Sequence, residues 1–150
     1  MHKLEILNSK ETKEIYKKLK DVFGFEEKLD YAFLMNKDGK IYIVNKEIDK
    51  IDFTNLRVDA VGMYFAEIKD GELRLSIEGS QLIGPKAGKN VAELSDEEMR
   101  KWLRGIDFEK NLENGFYIMK HGNDFMGTGK CSRGKIYNYV PKARRIMSLD

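Results

Sequence analysis

Apolar residues recur along this chain with two periods, and each period predicts its own elements. Ile15, Leu19, Val22 and Phe23 fall at helical spacing among lysines and glutamates, the pattern of an amphipathic helix with one solvated face. Asn8-Ser9-Lys10-Glu11 reads as a capping box ahead of it, with Ser9 as the alternative cap, and Gly24 is the stop. Residues 31–35 and 41–44 are short β-prone runs joined by Asn36-Lys37-Asp38-Gly39, a hairpin signal because the turn needs positive φ. Residues 46–53 read as a short helix or an irregular crossing. Residues 57–68 and 73–78 predict a second hairpin about Lys69-Asp70-Gly71-Glu72. There Leu73, Leu75 and Ile77 alternate with Arg74, Ser76 and Glu78, so one face is buried. Ser80 is expected to cap a single helical turn that Gly84-Pro85 ends. The Lys86 and Lys89 loop that follows reads equally as a phosphate contact or an exposed linker.

The second half repeats the scheme. In Leu94-Ser95-Asp96-Glu97-Glu98-Met99, Ser95 caps a helix, Glu98 closes the box and Leu94 staples against Met99. Met99, Trp102 and Leu103 form its buried stripe, and Gly105 ends it. From Gly115 the period falls to two. Residues 116–121, 125–131 and 135–140 predict three strands, with turns at His121–Asp124 and Ser132-Arg133-Gly134, and Pro141 as the stop. Short strands at this spacing predict a small barrel or closed sheet.

Composition narrows the chemistry. A chain of 150 residues fits one domain, or two small ones sharing a core. No apolar run approaches the length of a membrane span, and the first residues hold no apolar signal segment, so no membrane partner and a cytoplasmic location are expected. One cysteine and two histidines, Cys131, His2 and His121, supply no metal-ligand spacing. Charge is distributed unevenly. Residues 127–145 hold six cations (Lys130, Arg133, Lys135, Lys142, Arg144 and Arg145) and no acid. The remaining residues hold 21 cations against 25 anions, a net of −4. Clustered lysine and arginine on a mildly acidic body attract phosphate-bearing partners; a solvated basic tail is the plainer reading.

Gly127-Thr128-Gly129-Lys130 invites comparison with a phosphate loop. The pattern fails because Asp124 stands where its first glycine belongs and Cys131 where a Ser or Thr must follow the lysine. The context is also strand–turn–strand, without a helix to receive the phosphate. The glycines fit better as points of close backbone approach. Cys131 has no orienting triad beside it, and His121 at a strand end reads as structural. No carboxylate pair stands out for acid–base work, and no glycine-rich segment runs from a strand into a helix, so no catalytic residue, metal or cofactor is expected. Alternation over 135–140 puts Ile136, Asn138 and Val140 on one face and Lys135, Tyr137 and Tyr139 on the other. A lysine flanked by two aromatics can stack bases and hold phosphate; the opposing reading packs both tyrosines inside.

Two segments carry a family resemblance. Gly127-Thr-Gly-Lys130 followed by Asn138, Pro141, Lys142 and Arg145 resembles the end of the RNA-binding PUA-like domain of RsmF-type ribosomal RNA cytosine-5 methyltransferases. Trp102-Leu-Arg-Gly105 resembles that domain's helix ending. Arg144 departs from the family pattern. The resemblance covers roughly residues 31–147 and is strongest after 94. It implies an α+β fold: a small N-terminal α/β domain over 1–78, then a PUA-like β-barrel over 79–150. It also implies structured rRNA or tRNA as partner, with Gly127, Gly129, Lys130, Arg133, Lys135, Tyr137, Asn138, Tyr139, Lys142, Arg144 and Arg145 as the expected contacts. The family's catalytic cysteines and cofactor loops belong to a separate domain and do not carry over. The resemblance therefore implies a non-catalytic role in RNA modification or ribosome biogenesis, beside an RNA-modifying enzyme or an assembly factor. Two alternatives stand next to it: an adaptor binding an acidic protein through the basic tail, and a small enzyme using Cys131 or His121.

Overall fold

Two five-stranded sheets enclose two cores, and one strand of the second sheet lies between them. The computed structural model describes residues 4–46 and 62–146. Most of the crossing expected over 46–53, and the start of the strand expected over 57–68, lie outside the described residues. The first sheet is an antiparallel meander of β1 (Glu5–Ile6), β2 (Tyr31–Met35), β3 (Lys40–Asn45), β4 (Met63–Lys69) and β5 (Glu72–Leu75), adjacent in that order. Helix α1 (Ser9–Phe23) precedes β2, and helix α2 (Ile77–Ile83) follows β5. The second sheet contains β6 (Val91–Glu93), β7 (Phe108–Glu109), β8 (Gly115–His121), β9 (Asp124–Ser132) and β10 (Lys135–Tyr137), with helix α3 (Asp96–Leu103) after β6. Its order is β6-β8-β9-β10-β7, with β6 parallel to β8 and the other pairs antiparallel. It curls as a half-barrel whose end strands β6 and β7 are not paired with each other, so the closure expected of a barrel is partial. The mixed α+β architecture fits a PUA-like fold. No described helix is long and apolar enough to cross a membrane.

Local chemistry accounts for the helix ends. The Asn8 side chain accepts from the Glu11 amide at 2.8 Å, and the Asn8 amide donates to Glu11 at 3.1 Å. Ser95 and Glu98 form the same reciprocal box at 3.1 and 2.9 Å. Each satisfies orphan amides of a first turn. Helix α1 buries Ile15, Leu19 and Phe23 against Phe33, Ile41, Ile43 and Phe65 of the first sheet. Alternation along β8 then divides its side chains. Phe116 and Ile118 join that first core, while Met119 joins a second one built around Trp102, Met126, Cys131 and Ile136. The first core therefore draws Ile83, Phe116 and Ile118 from beyond residue 78.

One expected strand ends early. The alternation through Ile77 suggested that 73–78 is extended, but β5 stops at Leu75, and Ser76, not Ser80, caps α2 by accepting from the Gly79 amide at 2.9 Å. A serine side chain that can satisfy a helix amide competes with the ladder, and here the cap wins. Ser80 is freed for another task. Fully buried, it donates to the Ile77 carbonyl at 2.6 Å and accepts from the Gly127 amide at 2.8 Å.

That contact meets a β-bulge. The β8–β9 register passes from Ile118↔Thr128 to Lys120↔Phe125, so β9 carries one extra residue. Gly127 takes φ +97° there, a conformation costly for any side chain. The indole of Trp102 donates to the Met126 carbonyl at 2.7 Å and lies against Gly129, where an added Cβ would come within 2.9 Å of the ring. Trp102 is fully buried, as the sequence led us to expect.

Ser80→Ala should lower stability by about 1–3 kcal/mol, because it leaves the Gly127 amide buried without an acceptor. Urea unfolding checks this: the midpoint should fall with the slope unchanged. A second expectation concerns acid. Burial opposes ionisation of Glu98, but the Ser95 amide and the Lys110 ammonium, 3.0 Å away, outweigh it and hold its pKa below the ordinary 4.5. A lowered carboxylate stabilises the fold above its unfolded value and loses that contribution as pH falls through the folded one. The stability difference between wild type and Glu98→Gln should therefore be present at pH 7 and close below about pH 4.5.

Candidate nucleic-acid interface

The basic segment continues from β9 and β10 into a tail that folds back over the end of α3. Strand β10 is shorter than expected and ends at Tyr137. The residues beyond it still alternate as anticipated. Ile136 and Val140 are buried, and Lys135, Tyr137 and Tyr139 are exposed. Asn138 holds this arrangement. Its amide nitrogen Nδ2 donates to the Trp102 carbonyl at 2.7 Å and its Oδ1 accepts from the Val140 amide at 2.8 Å, while its backbone amide donates to Asp107 at 2.8 Å. The Trp102 carbonyl at the end of α3 accepts from the Gly105 amide at 3.0 Å as well, and the Asn138 side chain fills its second acceptor position and is committed to the protein. Past Pro141 a single 3₁₀ turn, Lys142–Arg144, leads to Arg145, whose Nε donates to the Val140 carbonyl at 3.0 Å. The Ile146 amide then donates to the Leu103 carbonyl at 2.8 Å.

The candidate residues divide by environment. Gly127 and Gly129 are buried at the bulge and under Trp102. Lys130 and Tyr137 are register partners on neighbouring strands. The ammonium of Lys130 lies 5.6 Å from the Phe116 ring centre, and that of Lys135 lies 5.4 Å from Tyr137. Tyr139 stacks on Phe116 with 6.5 Å between centroids. Arg133, at φ +52°, is exposed at the β9–β10 turn, away from the tail. Arg144 pairs with Glu78 of α2 at 2.7 Å.

Sequence reasoning missed two members. Arg74 of β5 carries its guanidinium 4.5 Å from the Tyr139 centroid and 5.7 Å from that of Phe116. Lys130, Phe116, Tyr139 and Arg74 thus form one row, two neighbouring rings with a cation at each end. Arg74 was legible only as an outward position in an alternating strand; nothing in its neighbours pointed to residue 139. Phe116 likewise read as an ordinary core position of β8.

Arg74 and Tyr139 of this row line a cleft of about 380 Å³ between the two halves of the fold. Tyr64, Glu67, Arg74 and Ser76–Glu78 form one wall. Gly127, Thr128, Asn138–Pro141, Lys142, Arg144 and Arg145 form the other, with Trp102 at the back. Burial, then Glu67 and Tyr42, push the Tyr64 hydroxyl up to about 12, so it stays neutral at physiological pH.

The residues considered for catalysis are apart. Cys131 pairs with Gly115 at one end of the β8–β9 ladder, and His121 with Asp124 at the other. The thiol is fully buried and points at the Lys110 and Leu112 carbonyls. The His121 Nε2 and an Asp96 carboxylate oxygen are 2.7 Å apart, and that bond holds Asp96 below the usual carboxylate range. Among the described residues no group of histidine, cysteine and carboxylate could hold a metal ion.

Asn138→Ala should cost about 1–3 kcal/mol, since it leaves the Val140 amide without its acceptor and takes one of two donors from the Trp102 carbonyl. Thermal unfolding of that variant, followed by tryptophan fluorescence, reads the effect at the indole itself.

Residues 89–146 match the family model of the Methyltransferase RsmF PUA domain. The match takes in β6 through the tail; β1 to α2, with Arg74 and the first wall of the cleft, lie outside it. No curated protein matches the chain.

Proposed function

With residues 89–146 forming a PUA-like domain of the kind found in RsmF-type methyltransferases, we propose that this protein binds structured ribosomal or transfer RNA without catalysing a reaction on it. Its setting would be RNA modification or ribosome assembly. The observation that carries the reading is the row of Lys130, Phe116, Tyr139 and Arg74, with Lys135 on Tyr137 beside it and Lys142 and Arg144 at the end. Cations neutralise backbone phosphate, and the exposed rings of Tyr137 and Tyr139 beside them offer stacking surfaces to unpaired bases. Arginine adds a planar fork suited to phosphate. The matched family is named for a methyltransferase, but the matched segment is its PUA domain, so the likeness supports RNA contact and carries no methyl transfer.

Fluorescence anisotropy with a structured RNA at several salt concentrations tests the reading. Affinity should fall linearly with salt on logarithmic axes, and replacing Lys142 and Arg144 together by Gln should reduce the slope by about 2. Binding that ignores salt, or no binding at all, would sink the proposal.

A further inference from the structure

Two residues that line the cleft between the two halves each carry a polar atom without a partner among the described residues. The Arg74 Nε and the Thr128 Oγ1 are buried and lack any hydrogen-bond partner. Thr128 is only 3% exposed. Buried polar groups are nearly always paired, so two orphans lining one cleft point to a ligand that pairs them. Glu67 stands opposite Arg74 in the β4–β5 register, yet no ion pair joins them. The guanidinium instead rests on Tyr139, a ring still 37% exposed. At the rim, Lys142 and Arg144 supply positive charge, and Glu78 fixes Arg144 in place.

We propose that the cleft receives one unpaired nucleotide extruded from the bound RNA. Its base stacks on Tyr139, and its edge is met by the Thr128 hydroxyl and the Arg74 Nε. Its phosphate lies toward Lys142 and Arg144. This rests on the RNA-binding reading and extends it to a defined pocket. The volume of about 380 Å³ is in the range of small-ligand sites and admits a single nucleotide, not a duplex. Aromatic faces and guanidinium planes are the surfaces on which unstacked bases settle, and a base edge brings the acceptors that orphaned donors need. Arg74 lies outside the matched domain, so the pocket is a composite of that domain with the N-terminal half of this chain.

The test compares two RNA hairpins of one sequence, one fully paired and one with a single-nucleotide bulge, by anisotropy at fixed salt. Wild type should prefer the bulged hairpin by about tenfold, a typical yield of one base–aromatic contact. Thr128→Val and Arg74→Met should each bring that ratio toward unity. Thr128→Val keeps the shape and removes only an unpaired hydroxyl, so its urea midpoint should equal or exceed that of wild type, which separates lost binding from lost folding. An unchanged ratio in both variants, or no preference in wild type that still binds both hairpins, overturns the pocket and leaves the RNA-binding reading standing. Failure of wild type to bind either hairpin overturns the RNA-binding reading itself. Free cytidine and adenosine monophosphates form the last arm: if either binds as tightly as the bulged hairpin, the strand-borne nucleotide is wrong and the ligand is a free nucleotide.

Discussion

The bulge at Met126–Gly127 is the constraint from which the rest of the arrangement follows. It interrupts the longest of the described strands, and two side chains from different elements hold it. Ser80 of α2 accepts from the Gly127 amide at 2.8 Å, and Trp102 of α3 donates to the Met126 carbonyl at 2.7 Å. Backbone groups that leave a ladder must be satisfied elsewhere, and burial makes the requirement strict. Meeting it fastens α2, and with it the first sheet, to the second sheet. It also brings the indole flat against Gly129 and places the end of α3 where the tail can close over it.

The tail depends on that placement. The Trp102 carbonyl, bonded to the Gly105 amide as α3 ends, takes a second donor from the side chain of Asn138, and Leu103 receives the amide of Ile146. One tryptophan thus serves the bulge with its ring and the tail with its backbone. The basic residues beyond Val140 are held against the first sheet as a result, and Arg144 reaches Glu78. The arginine and aromatic residues of the candidate interface are assembled from both halves, although the matched PUA-like domain spans only the second.

Several features were legible because their causes are local. Both capping boxes involve residues three apart, and the Asp-Gly turns need only the conformational freedom of their own positions. The alternation of Ile136 and Val140 against Lys135, Tyr137 and Tyr139 survived even though β10 stops at Tyr137, since an extended backbone alternates with or without a ladder. The misreading at Ser76 and Ser80 shows the limit. Both serines can cap, and the choice between them was made by contacts with β4 and with Gly127, 47 residues further along the chain.

The sequence by itself determined the first and third helices, the turns, the concentration of positive charge after Gly127 and the likeness of that segment to an RNA-binding domain. These rest on short-range spacing and on composition, which a linear string carries in full. Tertiary structure alone decided that Arg74 lies over Tyr139, that Phe116 joins them, and that Thr128 and Arg74, each with an unpaired polar atom, line one cleft. Those residues are 11 to 65 positions apart. What brings them together is the satisfaction of buried backbone groups at a single bulge, which no local pattern encodes.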